Sequence, residues 1–248
     1  MSNSVKRGFI PTDAKEFNEE SLNTLIKAQK DLLYLMEQGY PIKSASTFVG
    51  NHYMISERQR LALSRATTIP EIVELRREKQ VIGKTDNQTL YLDGLNLIIT
   101  LEVALSGSVL IHCMDGTIRD LAGLRGTYRL IDKTDLAINL IGKRLNQMNI
   151  DTAHFYLDSP VSNTGRLKQR ICELLAGYSF HTIVELVNNA DVMLENKSNV
   201  ISSDAIILNK CTSWINLAAE IMNDSIKDTF LVDLRLMNAT EGRNRGMQ

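Results

Sequence analysis

Residues 90–100 read LYLDGLNLIIT. The run is rich in leucine and β-branched side chains, which suits a strand buried in a parallel sheet. One charge, Asp93, interrupts it. A carboxylate among apolar side chains is costly unless strong donors or a cation offset its lost hydration. The same stretch therefore bears on both fold class and function.

Four further runs of this kind follow: TAHFYLDSPVS (152–162), FHTIVELV (180–187), NVISSDAIIL (199–208) and TFLVDLRL (229–236). Helical spacing lies between or beside them, over Thr134–Asn146, Thr164–Ala176, Ala190–Glu195 and Ala205–Asn223. Alternating strand and helix predicts an α/β fold, a parallel-sheet α/β/α sandwich. Ligands of such sheets bind at the carboxyl ends of the strands. Residues 107–130 interrupt the alternation. Asp115-Gly116 between VLIHCM and TIRDL is a hairpin signal, and this insertion carries Arg119, Arg125 and Arg129 as a flap beside the site.

The first third differs. Leu22, Leu25, Ile26, Leu32, Leu33 and Met36 repeat at helical spacing, and Gly39-Tyr40-Pro41 ends the pattern. A short helix over Ser44–Gly50 follows. Ser56 with Gln59 forms a capping-box pattern ahead of Arg58, Arg60 and Arg65, and Pro70 opens another helix to Lys79. The Gly50-Asn51 turn has the outline of a helix-turn-helix, although a solvated face explains the arginines more simply. Residues 1–84 carry 13 Lys+Arg against 10 Asp+Glu, whereas the whole chain has net charge -1. We read a small all-helical N-terminal domain over 1–84 and an α/β domain over 85–248, joined through GKTDNQ (83–88).

The 248 residues are 44% hydrophobic and 23% charged, which is the balance of a globular protein. Near-neutral charge gives no gross attraction to nucleic acid or membrane. No apolar run reaches the length of a membrane span, and the N-terminus has no signal-peptide core, so a cytoplasmic chain is expected. Cys113, Cys172 and Cys211 stand far apart, which suggests neither disulfides nor a zinc site. His154 and His181 fall in strands and read as core residues, as does Trp214 on the last long helix. GxSxG, GxGxxG, HExxH and Walker A patterns are absent.

The aspartates carry the chemistry. Asp93 and Asp158 end apolar runs, while Asp191 and Asp204 follow the next two. Each of the latter pair could simply cap a helix. Together, four strand-end carboxylates converge on one edge and suit Mg²⁺ or Mn²⁺. Asn96 lies a turn from Asp93. In DSPVSNTGRLKQR (158–170), Ser162 and Asn163 precede a helix whose amides could receive a phosphate, with Arg166 nearby.

YLDGLNLI (91–98), Asp191 in NNADVML and Asp204 in VISSDAIIL resemble, in that order, the motifs of PIN-like nucleases, especially the NYN type. The resemblance covers 89–236. It implies a flattened α/β/α sandwich and a Mg²⁺- or Mn²⁺-dependent RNA phosphodiesterase. Asp93, Asp158, Asp191 and Asp204 would be its catalytic set, and Asn96, Ser162, Asn163, Arg119, Arg125 and Arg166 would hold RNA. A further acid is usual between strands one and two, for which Glu102 and Asp120 are both candidates as metal ligands. The acid that commonly follows the last aspartate is missing from DAIIL. An inactive RNA-binding scaffold and a small-phosphoester hydrolase are therefore rival expectations. A homo-oligomer is compatible with each. The whole chain also resembles an archaeal and bacterial family with a small helical N-terminal domain.

Overall fold

A computed structural model describes residues 5–83, 88–123 and 126–236. Five helices come first: α1 (Asp13–Glu16), α2 (Glu19–Glu37), α3 (Ile42–His52), α4 (Glu57–Ala66) and α5 (Pro70–Lys79). The α4 start is the expected capping box, in which Ser56 Oγ accepts from Gln59 N while Gln59 Oε1 accepts from Ser56 N. The chain continues through β1 (Thr89–Asp93), α6 (Gly94–Leu105), β2 (Leu110–His112), β3 (Ile118–Asp120), α7 (Asp132–Gln147) and β4 (Thr152–Asp158). It ends with α8 (Thr164–Leu175), β5 (His181–Val187), α9 (Ala190–Leu194), β6 (Val200–Ile201), α10 (Ala205–Lys210), β7 (Trp214–Ile215), α11 (Leu217–Ser225) and β8 (Leu231–Asp233).

The main sheet has five parallel strands in the order β5-β4-β1-β6-β7. The alternation of strand and helix is thus realised as an α/β fold, with β1 at the centre. Leu90, Leu92, Phe155 and Leu157 turn to one face and join Ile98, Ile141, Leu167, Ile171 and Ile221 in the largest core.

Several elements differ from their sequence reading. The run 90–100 is half strand and half helix, because the chain turns at Gly94. A Cβ there would stand 2.8 Å from Leu157 Cδ2 and 3.3 Å from Tyr156 O, so a larger residue would force Leu157 to shift where β1 passes into α6 beside β4. The run 199–208 keeps only two strand residues before α10. The helix expected over 205–223 is split by β7, and Trp214 lies in that strand, fully buried. The 229–236 run does not join the main sheet. Its β8 pairs parallel with β2, which forms the expected hairpin with β3, giving a second sheet in the order β3-β2-β8. His154 is partly exposed and bonded to Glu185, and His181 is exposed, so neither is a core residue.

That second sheet completes the core of the N-terminal helices. Leu25, Leu32, Val49 and Leu63 pack with Val109, Ile111, Cys113, Leu121, Val232 and Leu234. The helices at 13–66 therefore bury their apolar faces against strands from the middle and end of the chain. No helix among the described residues is long and apolar enough to cross a membrane.

Candidate functional site

Between the carboxyl ends of the main sheet and the N-terminal helices lies a cavity of about 860 Å³. Asp93, Asp158, Asp191, Asp204 and Asn96 line its floor. Tyr40, Ile72 and Arg65 line the helical side. The parallel topology explains the convergence, since β1, β4 and β6 all deliver their ends to one edge.

Asp93 is the most enclosed of the four, 5% exposed. It occupies the N-cap position of α6 but makes no capping bond, and it accepts from Ser202 Oγ at 2.9 Å. Burial raises its carboxyl to a pKa of about 7. The charges of Asp204, Asp191 and Asp158 add to the rise, against the lowering effect of Ser202. Asp191 is also raised, first by burial and then by Asp204 and Asp158. Asp204 caps α10, accepting from Ile206 N at 2.7 Å and Ile207 N at 3.3 Å. Asp158 also accepts a helix-start amide, Ala190 N at 2.8 Å. Capping and convergence thus coexist in the same side chains.

Ser202 and Ser203, to which no function was assigned from sequence, organise this floor. Ser202 Oγ links Asp93 to Asp204 N, and Ser203 Oγ donates to Asn96 Oδ1 at 2.9 Å. The serine pair immediately before Asp204 was the available signal.

Other candidates fall elsewhere. Glu102 is fully buried and points away from the cavity. It receives Tyr128 Oη at 2.7 Å, Arg7 Nε at 2.8 Å and Thr134 Oγ1, so its acceptor capacity is used internally. Asp120 does line the cavity, but it accepts from Thr100 Oγ1 and Ala122 N and faces Arg65 at 3.6 Å. Ser162 and Arg166 are exposed and outside the cavity lining. Asn163 takes a left-handed backbone (φ 65°) and donates to Tyr128 O at 2.7 Å. Ser162 and Asn163 therefore anchor the segment after the hairpin, Ser162 N donating to Gly126 O at 3.1 Å, and beyond Asp158 and Val161 this stretch does not line the cavity. Arg125 lies outside the described residues.

Arg119 is no free phosphate arm. It and Arg76 both grip the buried Asp115, at 2.6 and 2.5 Å. Arg119 Nε also donates to Ser203 O at 2.7 Å, while Arg76 reaches Ala205 O and Asn209 Oδ1. Arg76 and Arg119 line a second wall of the cavity, and Asp115 is buried behind them, completing the triad. The triad clamps both sides of Asp204 to the hairpin and to α5.

Hard oxygen donors, among them Asp93 and Asp191 with raised pKa values, suit a divalent cation in kind. In spacing they form no closed cage: among the described residues no group of three or more His, Cys, Asp or Glu side chains stands close enough to hold a metal ion.

Residues 82–220 match a family described as "Domain of unknown function (DUF5616)", and residues 24–79 match "Protein of unknown function (DUF434)". "Uncharacterized protein MJ0935" of Methanocaldococcus jannaschii is 35% identical over 183 residues, which span 73% of this chain and 88% of that protein. No solved structure matches the chain. The main sheet and its aspartate floor fall within the first of these matches, and the chain belongs to the DUF5616 family.

Proposed function

We propose that the cavity hydrolyses RNA phosphodiesters with the help of Mg²⁺ or Mn²⁺. The observation that carries this reading is the floor: four aspartates on one cavity, with Asp93 buried and its pKa raised to about 7. Such repulsion is relieved by a cation, and perturbed carboxylates in a cleft favour a reactive site over a structural one. The order of the Asp93, Asp191 and Asp204 motifs, which resembles the PIN-like pattern, supports the same chemistry. The open spacing suits a cation held by one or two carboxylates and several waters, as Mg²⁺ prefers. When bound, the ion would neutralise charge developing on the scissile phosphate. Asp93 must release its proton to join the site, so cation affinity should rise as pH increases through about 7. Ser202 and the α10 amides hold Asp93 and Asp204 in place meanwhile.

The absence of a three-group cage among the described residues favours a second reading, an RNA-binding domain that does not cleave. Single-stranded RNA with Mn²⁺ separates the two. Wild-type protein should cleave, and Asp93→Asn and Asp204→Asn should each lower the rate by about two orders of magnitude or more, since even outer-shell changes at metal sites cost 10–100-fold. RNA binding without cleavage by pure wild-type protein selects the second reading. Cleavage that survives both substitutions removes the site.

A further inference from the structure

The main sheet has two edges, and they are protected differently. Beyond β7, Gln80 bridges Trp214 in parallel and Val81 N donates to Trp214 O at 2.8 Å. Among the described residues nothing pairs with the outer side of β5. That strand reads HTIVELV, seven residues without proline, lysine or arginine. A strand of this length at an open edge, with no bulge, proline or lysine, is a template for another strand.

Its backbone directions are fixed by two bonds. His181 N donates to Asp151 O, and Val187 O accepts from Ser159 N. Both ends thus face β4, so the alternate residues Thr182, Val184 and Leu186 turn their N–H and C=O groups outward. Side chains alternate too. Val184 enters the main core, whereas His181, Ile183 and Glu185 share the opposite face and are exposed, Ile183 by 42%.

We infer that β5 pairs antiparallel with β5 of a second copy of this chain, with the two-fold axis at Ile183. In that register Thr182 lies opposite Val184 of the second copy, and the outward groups of both residues exchange hydrogen bonds in each direction. Ile183 meets its own counterpart. His181 faces Glu185 at both ends, a hydrogen-bonding and charge-complementary pair. Moving the axis to Val184 sets Ile183 against Glu185, and moving it to Glu185 sets two carboxylates face to face. The side chains therefore select one register, and the two main sheets join into one.

The test uses the full chain. Sedimentation at tens of micromolar should give a dimer mass for the wild type. Ile183→Lys, at an exposed position, should give a monomer with an unchanged far-ultraviolet spectrum. Glu185→Lys should weaken the dimer, and His181→Glu added to it should restore the dimer. Facing residues of a non-hydrogen-bonded antiparallel pair lie about 4.5 Å apart between Cα atoms, within disulfide reach. Ile183→Cys in a Cys172→Ser background should therefore oxidise to a covalent dimer, whereas Glu185→Cys should not. A monomeric wild type overturns the inference, as does a dimer that survives Ile183→Lys. A double variant without restored association, or crosslinking at 185 instead of 183, overturns the register.

Discussion

The cavity has two charged regions built on opposite plans. The Asp115 wall sets one buried carboxylate between two guanidiniums, with Thr117 N and Oγ1 completing its bonds. The aspartate floor sets four carboxylates near one another with only hydroxyl and amide donors. Their pKa values diverge accordingly. Burial would raise Asp115, but Arg119, Thr117 and Arg76 outweigh it and hold the carboxyl below its usual range. Burial raises Asp93 and its neighbours raise it further. A compensated buried network fixes geometry. An uncompensated one stores a demand for charge that a cation can meet.

The largest expected effect lies in the wall. Asp115→Ala leaves Arg76 and Arg119 buried beside each other, and breaking a buried pair this way costs about 3–5 kcal/mol. Urea unfolding at neutral pH measures it. Because the folded pKa is depressed, the stabilisation by Asp115 is present above its unfolded value and is lost as pH falls through the folded one. A loss below about 1 kcal/mol would place the wall among ordinary surface pairs.

The floor should respond with the opposite sign. Asp93 holds its proton to about pH 7 when folded but to about 4 when unfolded, so the folded state binds more protons between those values. Its contribution therefore becomes less favourable as pH rises from about 4 to 7, approaching a cost of about 4 kcal/mol above that window. Asp93→Asn should remove this slope, making the cation-free variant more stable than wild type at pH 8 and similar at pH 4. Added Mn²⁺ should then stabilise wild type more than the variant. Thermal melts across this range check both signs.

The sequence exposed the floor more readily than the wall. Asp93 and Asp204 stand out because a local apolar pattern surrounds them, and parallel strands send their ends to one place. The strand runs at 152–158 and 181–187 and the capping box at Ser56 were legible for the same local reason. The β2-β3 hairpin was legible from Asp115-Gly116, but the addition of β8 to it was not, since β2 and β8 pair across more than a hundred residues and neither is longer than three. β7 has two residues and no periodicity to read. Glu102 looked available one helix away from Asp93, but its partners Arg7, Tyr128 and Thr134 come from segments that only folding brings together. The helix start at Asn163 looked like a phosphate cradle, yet the carbonyl of Tyr128, a distant residue, takes its amide.

The smallest expected effect belongs to Asp204, where wall and floor meet. Its carboxylate accepts two backbone amides at the start of α10, so it serves as a helix cap whatever else it does. Asn and Asp are nearly equal caps, and Asp204→Asn should change stability at pH 5 by less than about 0.5 kcal/mol. Its charge acts elsewhere, because Asp204 is the first of the three carboxylates that raise Asp93 and the first that raises Asp191. Removing it should move the Asp93 titration below about 7, so the loss of stability on raising the pH ends at a lower pH. Carbon-detected NMR titration of the Asp93 carboxyl reads that midpoint directly. A midpoint that stays at about 7 means that burial alone sets the value, and the floor would then be four independent carboxylates instead of one coupled cluster.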